Sequence, residues 1–354
     1  MKTASPLNDF AAQAILCREA FFRDLEHLPD ELHEVVVNNY NERVARCQGK
    51  PMLGEYIPWF LADMIPLKNR DMLQAIAPAW LGLYTYTIFM DDLLDITGKP
   101  DAGPLLLASG LLLQRGLSNL YQALPPGAAN RAQISSFWLA AANAVLKELQ
   151  HHKGQLQSFN EEDINSLGEK VSLLSLCASC ILVADGYEDV SDGVLKPVEA
   201  FATGMQLLDD MTDWEEDWRS GNFTHILTRT FSFLRYEGEV IDPKSADLTS
   251  SEVLTAIVLT GSLEDCLSRG IGFVESVLAT PGFQSGSPSY RLLQATKEEN
   301  LEFLDEVRVA REICQKKRSK QTPYTVLSQL SGDSIVKSRI LTLNRKLKIL
   351  AVHT

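Results

Sequence analysis

The sequence predicts an all-α protein whose 354 residues, 1–354, form a single domain. Apolar residues recur at helical spacing along almost the whole chain, whereas the alternating pattern of a β-strand is scarce. No shift in composition and no repeat of solenoid length divides the chain. With 45% hydrophobic and 22% charged residues, the chain has an ordinary globular composition and enough apolar content for a large core.

Helix-capping residues set the starts of the predicted helices, and Pro and Gly set their ends. Asn160 before Glu161 is a typical helix start, while Gly127, Gly221 and Gly282 mark breaks. The predicted helices cover residues 6–28, 29–47, 56–64, 69–94, 104–124, 128–159, 161–184, 197–218, 251–279, 290–317 and 323–350.

The net charge of −13 makes nucleic acid and anionic membrane surfaces poor partners. An anionic substrate would therefore need metal cations to mediate its binding. The longest apolar stretches, 104–113 and 171–184, fall short of the roughly 18 residues that suggest a membrane span. The chain opens without a recognisable targeting peptide, so we expect a cytoplasmic location. Cys177 and Cys180 lie in an apolar helical run, which favours buried packing over metal chemistry.

Two aspartate motifs, DDLLD at 91–95 and DDMTD at 209–213, are the most informative features of the sequence. On a helix, residues four apart share one face, so Asp91 lies above Asp95, and Asp209, Asp213 and Asp217 form one acidic stripe. Stacked carboxylates repel each other, and Mg²⁺ typically binds a few carboxylates together with substrate phosphates. Two such helices facing each other would hold a metal-bridged diphosphate and favour its departure.

Each motif follows an apolar run, which places its carboxylates at the mouth of a pocket. The residues predicted to line that pocket lie one or two turns before the motifs: Tyr84, Thr87, Ile88, Ala202, Met205 and Gln206. An apolar cavity with an aromatic wall suits a hydrocarbon tail and a carbocation. The alternative is that the motifs are exposed acidic faces and that these six residues are ordinary core.

These motifs resemble those of the class I isoprenoid synthases. The landmarks fall in the order of the trans-prenyl diphosphate synthases and span residues 49–222: GK at 49–50, DDLLD, GQ at 154–155, Lys170, and GxQxxDDxxD at 204–213. The resemblance implies a helical bundle around a central cavity, with C-terminal helices over 251–350, and a homodimer. It implies Mg²⁺, three ions with Mn²⁺ as an alternative, held by Asp91, Asp92, Asp95, Asp209, Asp210, Asp213 and Asp217.

The diphosphate of the substrate is expected to contact Lys170, with Arg219 and Arg308 as further candidates. The chain departs from chain-elongating synthases in one respect, because arginine is absent from the stretches 49–54 and 95–100, where that group carries basic residues. In addition, Asp209, Asp213 and Asp217 match the spacing of the second metal motif of terpene cyclases, and the surrounding stretch resembles that of squalene and phytoene synthases.

The sequence therefore favours a class I terpene synthase that cyclises a linear prenyl diphosphate and releases diphosphate. The bulky Tyr84 and Tyr86 favour farnesyl over geranylgeranyl diphosphate. Two alternatives stay open. One is a prenyltransferase, either chain-elongating or of the head-to-head squalene/phytoene type. The other is a non-catalytic subunit that partners an active prenyl synthase.

Overall fold

The computed structural model describes residues 6–95, 102–128, 132–151, 156, 159–188, 190, 192–236, 248–317 and 323–350. Over these residues the chain is helical and contains no β-strand, which confirms the all-α prediction. No single helix among them is long and apolar enough to cross a membrane. One consecutive pair, Glu161–Val171 and Leu173–Ala184, reaches that length only when both members are taken together.

The chain divides into two compact units. Unit 1 takes the described residues of Met1–Phe137, Leu173–Val198 and Ala279–Leu293, and unit 2 takes those of Trp138–Ser172, Glu199–Leu278 and Gln294–Thr354. The prediction of one domain stays a prediction.

Unit 1 is built on helix α4, which packs against α1, α3 and α5. Its helices are a 3-10 helix at Pro6–Phe10, α1 (Ala11–Leu25), α2 (Asp30–Arg46), α3 (Leu53–Met64), α4 (Leu73–Asp95), α5 (Ala102–Ala123) and α8 (Leu173–Ala184). Helix α4 is buried at Leu81, Leu83 and Phe89, and it reaches the surface at Asp91, where the first aspartate motif begins.

Unit 2 is organised around α12, which contacts α11, α13, α15 and α16. Its helices are α7 (Glu161–Ser166), a 3-10 helix at Leu167–Val171, α10 (Trp214–Ser220), α11 (His225–Tyr236), α12 (Ser250–Thr260), α13 (Ser262–Leu278), α15 (Pro323–Gly332) and α16 (Ser334–Leu350). Three helices begin in unit 1 and continue into unit 2: α6 (Ile134–His151), α9 (Asp192–Thr212) and α14 (Pro288–Lys317).

Several predicted helices are divided in the structure, and the prediction of one unbroken helix is wrong in each case. The segment 251–279 breaks at Gly261, whose φ of +78° is left-handed. The segment 323–350 breaks at Asp333, whose side chain accepts hydrogen bonds from the backbone of Ile335 and Val336 at 2.9 and 3.2 Å and so starts a new helix. The segments 161–184 and 197–218 break near Ser172 and Asp213. Helix α11 was not predicted.

Other boundaries are confirmed. Asn160 accepts a hydrogen bond from the backbone of Asp163 at 2.9 Å and forms a capping box. Gly127, Gly221 and Gly282 all have a left-handed φ at the breaks predicted for them.

Close packing of α4 on α5 depends on Gly116. A Cβ at this position would lie 2.8 Å from Leu83 Cδ2 and 3.2 Å from the carbonyl oxygen of Ala79. We expect Gly116→Ala to lower the free energy of unfolding by about 1–3 kcal/mol, because the helices must separate. Chemical denaturation measures this change.

Gly110→Ala on the same helix is the matched control, because nothing lies within 4 Å of its Cβ position. Helix propensity alone predicts that this exchange stabilises the protein by up to about 1 kcal/mol. Equal effects of the two exchanges would contradict the close α4–α5 packing.

Candidate active site

The second aspartate motif lies at the junction of α9 and α10 in unit 2. Asp213 interrupts the helix, with φ −96° and ψ 8°. The helical hydrogen bonds nevertheless continue across it, since Asp213 N donates to Asp209 O at 2.9 Å and Asp217 N donates to Asp213 O at 3.0 Å. Asp209, Asp213 and Asp217 therefore keep their spacing of one turn, as the sequence predicts.

The carboxylates of this motif differ in exposure. Asp209 and Asp213 are exposed, whereas Asp217 is half-buried and Asp210 is only 6% exposed. Gln206 orients two of them, because its Nε2 donates to Asp210 Oδ1 at 3.1 Å and to Asp209 Oδ2 at 3.3 Å. The adjacent Trp214 packs in the core of unit 2 and fixes the rotation of this segment.

One of these carboxylates, Asp210, lines a cavity of about 120 Å³ in unit 2. Its wall combines charged, amide and aromatic side chains from α6, α7, the following 3-10 helix, α9, the segment 222–224 and Phe159, which precedes α7. The lining residues are Ala144, Lys147, Phe159, Asp163, Ser166, Leu167, Glu169, Lys170, Gln206, Asp210, Asn222, Phe223 and Thr224. Pockets for whole drug-sized ligands measure about 300–1,000 Å³. This cavity therefore suits a small polar head group better than a whole prenyl chain.

Lys170 reaches the cavity from the 3-10 helix Leu167–Val171. This helix lies close to α9 because Gly168 has no side chain. A Cβ there would lie 2.6 Å from Thr203 Oγ1 and 3.0 Å from Thr203 N. The close approach brings the cation of Lys170 towards the carboxylates of the motif.

Asn222 is held at the cavity by the end of α10. Gly221 takes a left-handed φ of +81°, after which Asn222 N donates to Asp217 O at 2.8 Å. The side chain of Asn222 also donates to Asp217 Oδ1 at 2.8 Å. The pKa of Asp217 is raised to about 8, first by burial and then by the charge of Asp210, while Asn222 and Lys170 act in the opposite direction.

The donor set fits a hard divalent cation such as Mg²⁺. Asp210 and Asp217 supply carboxylate oxygens whose mutual repulsion a cation would relieve. Among the residues that the structure describes, no three His, Cys, Asp or Glu side chains converge on one point. A cation here would complete its coordination with water and with the oxygens of a bound phosphate.

The first aspartate motif lies at the end of α4 in unit 1. Asp91 is exposed, and Asp92 is half-buried and paired with Arg43 of α2. Asp95 belongs to α4, but its side chain lies outside the described residues. The role of Asp91, Asp92 and Asp95 as metal ligands stays a prediction.

The six predicted cavity residues have different environments. Gln206 lines the cavity in unit 2. Tyr84 and Ile88 are half-buried against the core of unit 1, where Thr87 Oγ1 donates to the carbonyl oxygen of Tyr84 at 2.7 Å. In unit 2, Ala202 is buried and Met205 is half-buried, and neither lines that cavity.

Arg219 and Arg308, the other predicted diphosphate ligands, form ion pairs on the surface. Arg219 donates to Glu215 at 2.7 Å and to Ser250 Oγ at 3.1 Å. Arg308 donates to Glu264 at 3.0 Å. Neither guanidinium lines the cavity, and a role for them at a diphosphate stays a prediction.

Sequence reasoning missed the segment 222–224 and the aromatic side chain of Phe159. The only sequence signal for Asn222 was its place after Gly221, which indicated a helix break and nothing about a ligand pocket. Lys147 and Asp163 were also missed. They form an ion pair at 3.4 Å that joins α6 to α7 beside the cavity.

No protein-family profile and no curated protein matches the sequence. Several solved structures match the fold, two of them with a TM-score of 0.64 over 83% of this chain. One is a geranylgeranyl pyrophosphate synthetase from the archaeon Geoglobus acetivorans, which is 17% identical in sequence and is matched over 99% of its own chain. The other is a geranylgeranyl pyrophosphate synthase from Lactobacillus brevis ATCC 367, which is 15% identical in sequence and is matched over 97% of its own chain. The chain therefore shares the all-α fold of these two synthases. The resemblance noted in the motifs is confirmed at the level of the fold.

Asp217 gives the metal-free protein a specific pH dependence. Because its folded pKa of about 8 exceeds its ordinary value of 3.8, the folded state holds the proton more tightly, and stability declines as the pH rises from about 4 to about 8. We expect Asp217→Asn to remove this decline and to raise the free energy of unfolding at pH 7.5 by about 1–3 kcal/mol. Denaturant unfolding at several pH values with a chelator present measures it.

Asp213→Asn is the control, because Asp213 lies on the same acidic stripe and is exposed. Its exchange should change stability by less than about 0.5 kcal/mol. An Asp217→Asn protein with the wild-type pH profile would show that this carboxyl group is not desolvated.

Proposed function

We propose that this protein is a Mg²⁺-dependent prenyltransferase that joins an allylic prenyl diphosphate to a second isoprenoid diphosphate. The observation that carries the proposal is a cavity of head-group size lined by buried Asp210 and by Lys170. Half-buried Asp217 lies behind this wall and accepts a hydrogen bond from the lining residue Asn222. Oxygen ligands for a cation and a lysine for an anion are the groups that a departing diphosphate requires.

Each residue of the cavity has a separate task in this proposal. Lys170 binds the diphosphate and stabilises the charge that grows as its carbon–oxygen bond breaks. Gln206 and Asn222 hold Asp210 and Asp217 through their side-chain hydrogen bonds. When bound, Mg²⁺ supplies positive charge that stabilises the leaving diphosphate. Phe159 and Phe223 form an apolar wall that limits access of water to the reacting carbon.

Transfer is preferred to cyclisation because of the likeness to the two synthases. Both neighbours are matched over nearly their entire length, and both are described as geranylgeranyl pyrophosphate synthases. This likeness supports the prenyltransferase alternative better than the cyclase that the sequence favoured. The first aspartate motif is proposed to bind Mg²⁺ and diphosphate as well. The homodimer and the cytoplasmic location stay predictions.

Cyclisation is the second candidate, and one observation favours it. The stretches 49–54 and 95–100 lack the arginines with which chain-elongating synthases hold their two diphosphates. A cyclase has only one diphosphate to bind, so it would not need them.

Incubation with Mg²⁺ and farnesyl diphosphate, with and without isopentenyl diphosphate, separates these activities. We expect a longer prenyl diphosphate that forms only when both substrates are present, detected by chromatography after phosphatase treatment. A hydrocarbon or alcohol formed from farnesyl diphosphate alone would establish cyclisation instead. The absence of turnover with farnesyl and geranylgeranyl diphosphates would favour the non-catalytic subunit.

Asp210→Asn tests the site itself. We expect the rate of whichever reaction occurs to fall about 10²–10³-fold, because the cation that stabilises the leaving diphosphate loses a carboxylate ligand. Glu312→Gln on α14 is the control, since Glu312 is exposed and does not line the cavity. Wild-type turnover by folded Asp210→Asn protein would contradict the assignment.

A further inference from the structure

In unit 1, a positively charged side chain already binds the first aspartate motif. Arg43 Nη2 of α2 donates to both carboxylate oxygens of Asp92, at 2.7 Å to Oδ1 and 2.6 Å to Oδ2. Asn39, one turn earlier on α2, accepts from Arg43 Nε at 3.2 Å and donates to Asp92 Oδ2 at 3.4 Å. Two residues of one helix therefore hold the middle carboxylate of the motif.

This ion pair is partly shielded from water. Both side chains are 27% exposed, so water screens them only in part. Hydrogen bonds between two charged groups are roughly twice as strong as neutral ones. A divalent cation on Asp92 would lie within a few ångströms of the guanidinium, and like charges at that distance repel each other.

The same guanidinium can also bind an anion. Its Nε donates to Asn39 and its Nη2 donates to Asp92. Its Nη1 forms no hydrogen bond with any of the described residues. Arginine binds phosphate oxygens well because its donors form a planar fork. A diphosphate that binds Nη1 would draw positive charge away from Asp92.

We propose that Arg43 is a positioning residue that makes metal binding at the first aspartate motif depend on diphosphate. Without diphosphate, Arg43 neutralises Asp92 and competes with the metal. With diphosphate, the guanidinium has a second anionic partner, and Asp92 becomes available as an oxygen ligand. This inference rests on the proposed function. It adds an order of binding, diphosphate before or together with metal, and it supplies an arginine to a motif whose flanking stretch 95–100 contains none.

The test is Mn²⁺ binding to the full-length protein, measured by electron paramagnetic resonance with and without inorganic diphosphate. We expect wild-type protein to bind Mn²⁺ at least about tenfold more tightly when diphosphate is present. In Arg43→Gln, Mn²⁺ should bind about tenfold more tightly than in wild type when diphosphate is absent, and the further gain from diphosphate should shrink. Arg43→Lys, which keeps the charge and loses the fork, should fall between the two.

Arg115→Gln is the matched control. Arg115 pairs with Asp24 in the same unit, at 2.6 Å and with both side chains 28% exposed, but Asp24 is not part of either motif. This exchange removes an equivalent ion pair and should leave Mn²⁺ binding unchanged. Circular dichroism verifies that the variants are folded.

The two ways of failing are distinguishable. If wild-type protein binds Mn²⁺ with diphosphate but both Arg43→Gln and Arg43→Lys behave like Arg115→Gln, the inference is overturned and the proposed function stands. If wild-type protein binds no Mn²⁺ even with diphosphate, the proposed function fails and the inference fails with it.

Discussion

The proximity of Asp210 and Asp217 in a poorly solvated part of unit 2 is the constraint on which the candidate site depends. Carboxylates that lose water and approach each other resist ionisation, which is why the pKa of Asp217 is raised. The amide of Asn222 and the cation of Lys170 offset this cost only in part. Positive charge from a bound metal ion would relieve this imbalance, as the proposed function requires.

The two aspartate motifs meet the same electrostatic problem differently. In unit 1 the carboxylate of Asp92 is half-buried, and a guanidinium from the neighbouring helix neutralises it. In unit 2 the charge of Lys170 acts against the raised pKa of Asp217 without cancelling it, and Asp210 receives a hydrogen bond from the neutral amide of Gln206. Without metal, the charge of Asp92 is thus neutralised, whereas Asp217 keeps a raised pKa.

Features that depend on local spacing could be predicted from the sequence. The all-α class, the one-turn separation of Asp209, Asp213 and Asp217 and the break at Gly221 are all present in the structure. Contacts between residues far apart in the chain could not be predicted in this way. Arg43 lies 49 positions before Asp92, so no motif could connect the two. Helix breaks such as that at Gly261 were missed because the apolar pattern continues through them. Motif spacing alone was likewise unable to decide between cyclisation and prenyl transfer.

The central claim, that Asp210 and Asp217 hold the cation that stabilises a departing diphosphate, is tested most directly by crystallography. A crystal grown with Mn²⁺ and inorganic diphosphate shows the metal through its anomalous scattering. The account predicts an anomalous peak within coordination distance of carboxylate oxygens of Asp210 and Asp217, with the Lys170 ammonium on a diphosphate oxygen. A bound diphosphate whose metal ions contact neither carboxylate would contradict it.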